Sequence, residues 1–177
     1  IKPCLLDDHP AYQTVRDADG FINNRSTGEP VVEPFWDGNG AYLDFTKPQA
    51  VQWWQSGLRQ QILEKGIDSG WNDNNEYAIQ SEDAVSDLWG QAGPIHRSRP
   101  LHALLMTRAT FEAQTAYATA IGRDEAVYTI TRAGPPGLQR YAQTWSGDNT
   151  TSWETLKWNI RTGLQMSLSG MFNVGHD

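Results

Sequence analysis

A single cysteine, Cys4, stands among 177 residues. That count excludes an internal disulfide and a thiolate metal cage, and it leans towards a reducing compartment. No stretch approaches the roughly 20 apolar residues of a membrane-spanning helix. Residues 1–20 carry Asp7, Asp8 and Asp17 and do not read as a signal peptide. With no targeting segment legible, the compartment stays open, the cytoplasm slightly favoured. Basic residues are outnumbered, 14 against 21 acidic, for a net charge of -7. Such a balance argues against nucleic acid as a partner and suits a neutral ligand such as a carbohydrate. No G-x-G-x-x-G follows a strand and no phosphate loop is present, so a nucleotide is unsupported. No dense set of ligating side chains falls on one element, which ranks metal chemistry below acid–base chemistry. No cofactor or metal is expected. Oligomeric state is not legible.

What is present is a core-forming chain, 38% hydrophobic and 11% aromatic, with eight tryptophans. Tryptophans in that number serve sugar stacking or plain core packing. Ile1 to Leu6 reads as a buried strand. Residues 11–47 show no sustained period and are rich in Gly, Asn, Asp and Pro, which predicts a long excursion with a hairpin near residues 28–34. Thr46 and Pro48 open a helix whose Val51, Trp54, Leu58 and Ile62 recur at helical spacing, and Gly66 ends it. A strand over 67–72 leads into a loop through residues 74–99. A helix over 101–120 carries Leu105, Ala109, Ala113, Ala116 and Ala120 on one face. Residues 126–130 form a strand, and Gly134-Pro135-Pro136-Gly137 a turn. Ser152 and its neighbours form a capping box for a helix that buries Leu156, Ile160 and Leu164. A last strand covers residues 171–174.

Strict alternation of strand and helix predicts parallel strands joined by right-handed crossovers. Polar residues gather after each strand: Asp7 and His9, Asp73 and Glu76, Arg132, Asp148, His176 and Asp177. In a β/α barrel these positions share one rim, where active sites lie. A doubly wound sheet is the runner-up. Asp73 and Asp148 each follow a tryptophan, Trp71 and Trp145, by two or three residues. Two carboxylates are what glycoside cleavage needs, one to attack or stabilise the anomeric carbon and one to protonate the leaving oxygen. The plainer reading of each stretch is a polar turn, and of Phe35 and Trp36 a pin for their loop.

Several motifs, in order, resemble glycoside hydrolase family 31. Residues 66–76 resemble its nucleophile motif, G-[IVF]-D-G-x-W-x-D-M-N-E. Thr131-Arg132-Ala133 resembles its Ser-Arg-Ser/Ala strand end, and Gly137-Leu138-Gln139-Arg140-Tyr141-Ala142 its Gly-x-Gln-Arg-Tyr-Ala segment. Trp145-Ser146-Gly147-Asp148-Asn149 and Ser169 to Asp177 match two further family signatures. The resemblance implies a (β/α)8 TIM barrel of which residues 1–177 form part, about five strands, the third to the seventh. It implies retaining hydrolysis of α-linked oligosaccharides with Asp73 as nucleophile and Asp148 as acid/base. Arg132 and Asp177 fall on positions that hold sugar hydroxyls, His176 belongs to the same motif and counts with the substrate-binding residues, and Trp36, Trp71 and Trp145 fall on aromatics lining the subsite. A nucleophilic carboxylate must be ionised, and Arg132 nearby favours that. Asn74 stands where the family has Met, Tyr77 where a Pro often follows the Glu, and Pro135-Pro136 where a bulkier residue and Ala are usual. An α-glucosidase is the first expectation. An α-glucan transglycosylase and a non-catalytic carbohydrate-binding relative are the alternatives. Both ends look cut, so this segment alone is not expected to be a competent enzyme.

Overall fold

The computed structural model describes residues 1–124 and 126–177. A short strand β1 (Cys4–Leu6) leads into helix α1 (Tyr12–Asp17), strand β2 (Asn23–Asn24) and a hairpin of β3 (Val32–Phe35) and β4 (Gly38–Tyr42). Helix α2 (Pro48–Gln61) and strand β5 (Ser69–Asn72) follow, then the short strands β6 (Ala84–Ser86) and β7 (Gly93–Pro94). The long helix α3 (Arg99–Ala120), strands β8 (Tyr128–Thr131) and β9 (Gln143–Trp145), helix α4 (Trp153–Leu168) and β10 (Val174–Gly175) complete the order.

Strands β5, β8, β9 and β10 lie side by side in sequence order, every pair parallel. Helix α3 crosses from β5 to β8 and α4 from β9 to β10, as parallel pairing demands. Beside β5 the backbone of Ile1 takes a fifth position. Its amino group donates to Trp71 O at 2.7 Å, and Asp73 N donates to Ile1 O at 2.9 Å. This is an arc of a parallel barrel wall.

The N-terminal strand departs from expectation. After Ile1 the chain leaves that wall, and β1 pairs antiparallel with β4, which pairs with β3. The expected hairpin is present but shifted along the chain, its turn at Trp36 and Asp37. A second small sheet, β2-β6-β7, lies partly in residues 74–99, expected to be plain loop.

Pro48 occupies the first turn of α2, where its missing N–H costs nothing. The N-cap is Lys47 rather than Thr46. The Thr46 hydroxyl instead donates to buried Asp44 and accepts from Leu88 N at 2.9 Å. Gly66, at φ 87°, closes the short 3-10 turn Leu63–Lys65 that continues α2.

Helix α3 lies on β5 and β8 through a polar layer. Buried Gln114 donates to the carbonyls of Asp68 and Tyr128, both at 3.0 Å, and accepts from the Thr129 hydroxyl. Trp54 Nε1 of α2 donates to Thr110 Oγ1 at 3.0 Å, and Thr110 Oγ1 donates to Asn72 Oδ1 at 3.1 Å. The close approach needs Gly70: a Cβ there would lie 2.6 Å from the Thr110 methyl. Of the expected small-residue stripe, Ala109 and Ala113 are buried, whereas Ala116 and Ala120 are exposed. The main core forms where α2, α3 and residues 11–47 meet, around Val15, Phe21, Leu43, Trp54, Tyr77 and Met106.

Ser152 caps α4 as expected, its Oγ accepting from Thr155 N at 3.1 Å. The apolar stripe of that helix is not buried. Leu156, Ile160 and Leu164 are 49%, 57% and 63% exposed, because nothing among the described residues packs over them.

Candidate active site

The carboxyl ends of β5 and β8 set out the site. Arg132 N donates to Asn72 O at 3.0 Å, the last backbone bond between the two strands before the chains diverge. Asp73 leaves β5 and Arg132 leaves β8 on the same side. Arg132 Nη1 donates to Asp73 Oδ1 at 3.1 Å, and Arg132 Nε donates to Glu76 Oε1 at 2.7 Å. The same Nη1 lies 3.5 Å from Asp148 Oδ2, beyond the end of β9. The oxygens of Asp73 and Asp148 are therefore within about 6.6 Å of each other, the 3.1 and 3.5 Å legs laid end to end.

The two aspartates sit in different surroundings. The Asp73 side chain is 22% exposed and that of Asp148 85%. Partial burial works against the charge of Arg132, but Glu76, then Asp73 and Asp148, outweigh it and raise its pKa further above the usual guanidinium range. One cation thus serves three carboxylates. The Asp148 loop is held by Asn149, whose amide donates to Ser146 Oγ and, at 3.4 Å, to buried Asn159 of α4.

Trp71 and Trp145 come together, ring centroids 5.7 Å apart and inclined at 60°. Trp71 remains 59% exposed and offers a face to solvent. Trp36 lies elsewhere, at the tip of the β3–β4 hairpin and 73% exposed. Its ring carries the Lys2 ammonium at 3.7 Å, and no described contact joins it to the Arg132 cluster. His176 is half-buried with its Nδ1 unpartnered. Its Nε2 lies 3.1 Å from where a Cβ on Gly163 of α4 would stand. Asp177 borders an open cleft of about 530 Å³ with Ser152, Trp153 and Asn159. Neither His176 nor Asp177 touches Arg132 among the described contacts.

Glu76 makes the shortest bond to Arg132, yet sequence reasoning left it outside the site. Its spacing, three residues after Asp73, was the available signal. Asn75 and Thr131, described below, gave none beyond being polar at strand ends. Among the described residues, no group of three or more His, Cys, Asp or Glu is arranged to hold a metal ion, and no helix is long and apolar enough to cross a membrane.

Parallel strands joined by helices, with acids and tryptophans along their carboxyl ends, define a β/α-barrel protein with a carboxylate-rich rim. The chain belongs to glycosyl hydrolases family 31: the model of that family's TIM-barrel domain matches residues 1–177. It is 32% identical to an alpha-glucosidase of Saccharolobus solfataricus over 85% of this chain and 25% of that protein. It is 30% identical to neutral alpha-glucosidase C of Macaca fascicularis over 96% of this chain and 22% of the relative. The chain thus spans about a quarter of the length of these curated relatives. A Flavobacterium johnsoniae GH31 dextranase structure superimposes at a TM-score of 0.83, with 22% identity over 99% of this chain and 22% of the other. A GH31 alpha-xylosidase from a soil metagenome gives 0.82 at 20% identity, over 100% of this chain and 25% of that one. These two likenesses establish the shared fold.

Proposed function

We propose that the protein to which this chain belongs is a retaining α-glycosidase acting on α-glucosidic bonds of oligosaccharides. The observation that carries the reading is the shared guanidinium: Asp73 and Asp148 reach the same Nη1 of Arg132, with oxygens within about 6.6 Å. A retaining pair works across roughly 5–5.5 Å, whereas an inverting pair stands wider to admit water.

In this reading Asp73, held by Arg132, attacks the anomeric carbon and forms a glycosyl ester as the glycosidic bond breaks. Asp148 gives its proton to the leaving oxygen, then takes a proton from the water that cleaves the ester. Its exposure suits a group that must exchange protons with solvent. Trp71 and Trp145 supply apolar faces for the C–H side of a sugar, while Arg132, His176 and Asp177 would hold hydroxyls. Alpha-glucosidases among relatives of about 30% identity support glucose as the sugar.

The test follows the full-length protein on maltose, isomaltose and nigerose, with the released sugar observed by NMR. The α-anomer appearing first is expected. The β-anomer appearing first would overturn retention.

A further inference from the structure

We infer that Asn75 is a positioning residue: through Thr131 it sets the distance between Asp73 and Arg132, so that a buried amide fixes the nucleophile. The inference rests on the reading of Asp73 just given.

Backbone pairing does not reach the two functional side chains. The ladder between β5 and β8 ends at Asn72 and Thr131, and the Arg132 N–H to Asn72 O bond is the final tie. Past it the two chains turn away, and side chains must set the spacing of Asp73 and Arg132. Asn75 is fully buried. Its Nδ2 donates to Thr131 Oγ1 at 2.8 Å, and its Oδ1 accepts from Ala133 N at 2.9 Å. These two bonds grip the β8 end on both sides of Arg132. They also settle the orientation of the amide, since a flipped one would set a donor against the Ala133 N–H. Thr131 is itself fully buried, and its Oγ1 lies 3.2 Å from Thr107 Oγ1 of α3. The grip is thereby tied to the helix beneath the sheet.

The loop around Asn75 adopts a backbone that needs holding. Asn74 and Tyr77 have φ of 50° and 57°, in the left-handed region, which asparagine tolerates and a bulky tyrosine does not adopt unless its surroundings hold it. Asn75 and Glu76 sit between them. Tyr77 forms the far anchor: its ring stacks on His102 at 4.9 Å, and its hydroxyl donates to Leu43 O at 2.9 Å. With Tyr77 held in the core and Asn75 held on β8, Asp73 and Glu76 are left facing the one guanidinium from two directions.

The test uses the full-length protein and the pair Thr131→Val and Thr131→Ser. The first keeps the shape and removes the hydroxyl; the second keeps the hydroxyl. Asn75→Ala removes the grip from the other side. Readouts are kcat and KM on an aryl α-glucoside, circular dichroism, and the rate at which a fluorinated glucosyl fluoride labels Asp73 covalently. That probe carries a good leaving group and reports placement of the nucleophile rather than protonation by Asp148. Thr131→Val and Asn75→Ala are expected to lower kcat and the labelling rate together, by about 10- to 100-fold, the scale of an ångström-sized misplacement. KM should change little, and Thr131→Ser should stay near wild type. Equal losses in Thr131→Val and Thr131→Ser, or natively folded variants labelled at the wild-type rate, would overturn the inference. Should Asn75→Ala fail to fold, the Thr131 pair decides alone. A wild-type protein in which Asp73 is never labelled would remove the nucleophile assignment itself, and this inference with it.

Discussion

Helices α3 and α4 make opposite use of similar material. Helix α3 buries His102, Thr107, Thr110 and Gln114. Helix α4 leaves Leu156, Ile160, Leu164 and Leu168 open and buries Asn159. The reason is what each helix faces. Helix α3 is pressed between β5, β8 and α2, so its polar groups go inside, where Thr107, Thr110 and Gln114 are bonded and His102 is bonded through Nε2 to Ser86 while its Nδ1 has no partner among the described residues. Helix α4 has described neighbours along one side only. The site divides in the same way: Asp73 belongs to the enclosed half and Asp148 to the open one. In the proposed mechanism the enclosed half would work by rigid placement and the open half by access to solvent.

The sharpest way to break this comparison is chemical. Asp73→Asn in the full-length protein is expected to remove turnover by on the order of 10⁴-fold or more on every glucoside. Asp148→Asn should cost about 10²- to 10³-fold on maltose but far less on an aryl glucoside in the glycosylation step, since a good leaving group needs little protonation. Burst kinetics on the two substrates separate the cases, and equal losses on both would refute the acid role. Next comes packing. Met106→Ala in α3 should cost about 2–5 kcal/mol in urea unfolding, whereas Leu164→Ser on the open face of α4 should stay within about 0.5 kcal/mol in the 177-residue chain. A Leu164 effect as large as that of Met106 would show the stripe to be covered.

The gentlest probe is pH. Burial holds His102 protonated only below its usual range, with a pKa of about 4 against 6.5, partly opposed by Asp44. The unfolded chain therefore binds this proton first, and stability falls as pH drops from about 6.5 towards 4. The loss is on the order of a few kcal/mol, and unfolding midpoints at pH 7, 5.5 and 4.5 would trace it. His102→Gln should flatten that slope.

Local signals were legible in the sequence wherever the cause was local. Pro48 fixed the start of α2, Gly66 the left-handed stop of the turn that continues it, and Ser152 the start of α4. The β-branched run before Arg132 marked β8. The parallel order of the wall and the meeting of Asp73, Asp148 and Arg132 were reached through alternation and family motifs, because no spacing rule joins residues so distant in sequence. What stayed hidden depended on partners. Nothing in Cys4-Leu5-Leu6 says that they pair antiparallel with β4 rather than join the wall. The two-residue strand β2 and its partners β6 and β7 are too short to show a period. The apolar stripe of α4 was read correctly as a stripe, yet its burial is decided by neighbours and not by its own residues. Trp36, matched to a family aromatic, lies at a hairpin tip under Lys2, where turn geometry governs its position.

Gly70 holds a final consequence. The hydrogen that stands where other residues carry a methyl group gives Thr110 its clearance, and Thr110 is the middle link between Trp54 and Asn72. Alanine at this point would act as a wedge, lifting the helix from the wall and loosening Asn72, the immediate neighbour of Asp73. An empty space three residues below the rim is thus as much a component of the machinery as any charged group upon it.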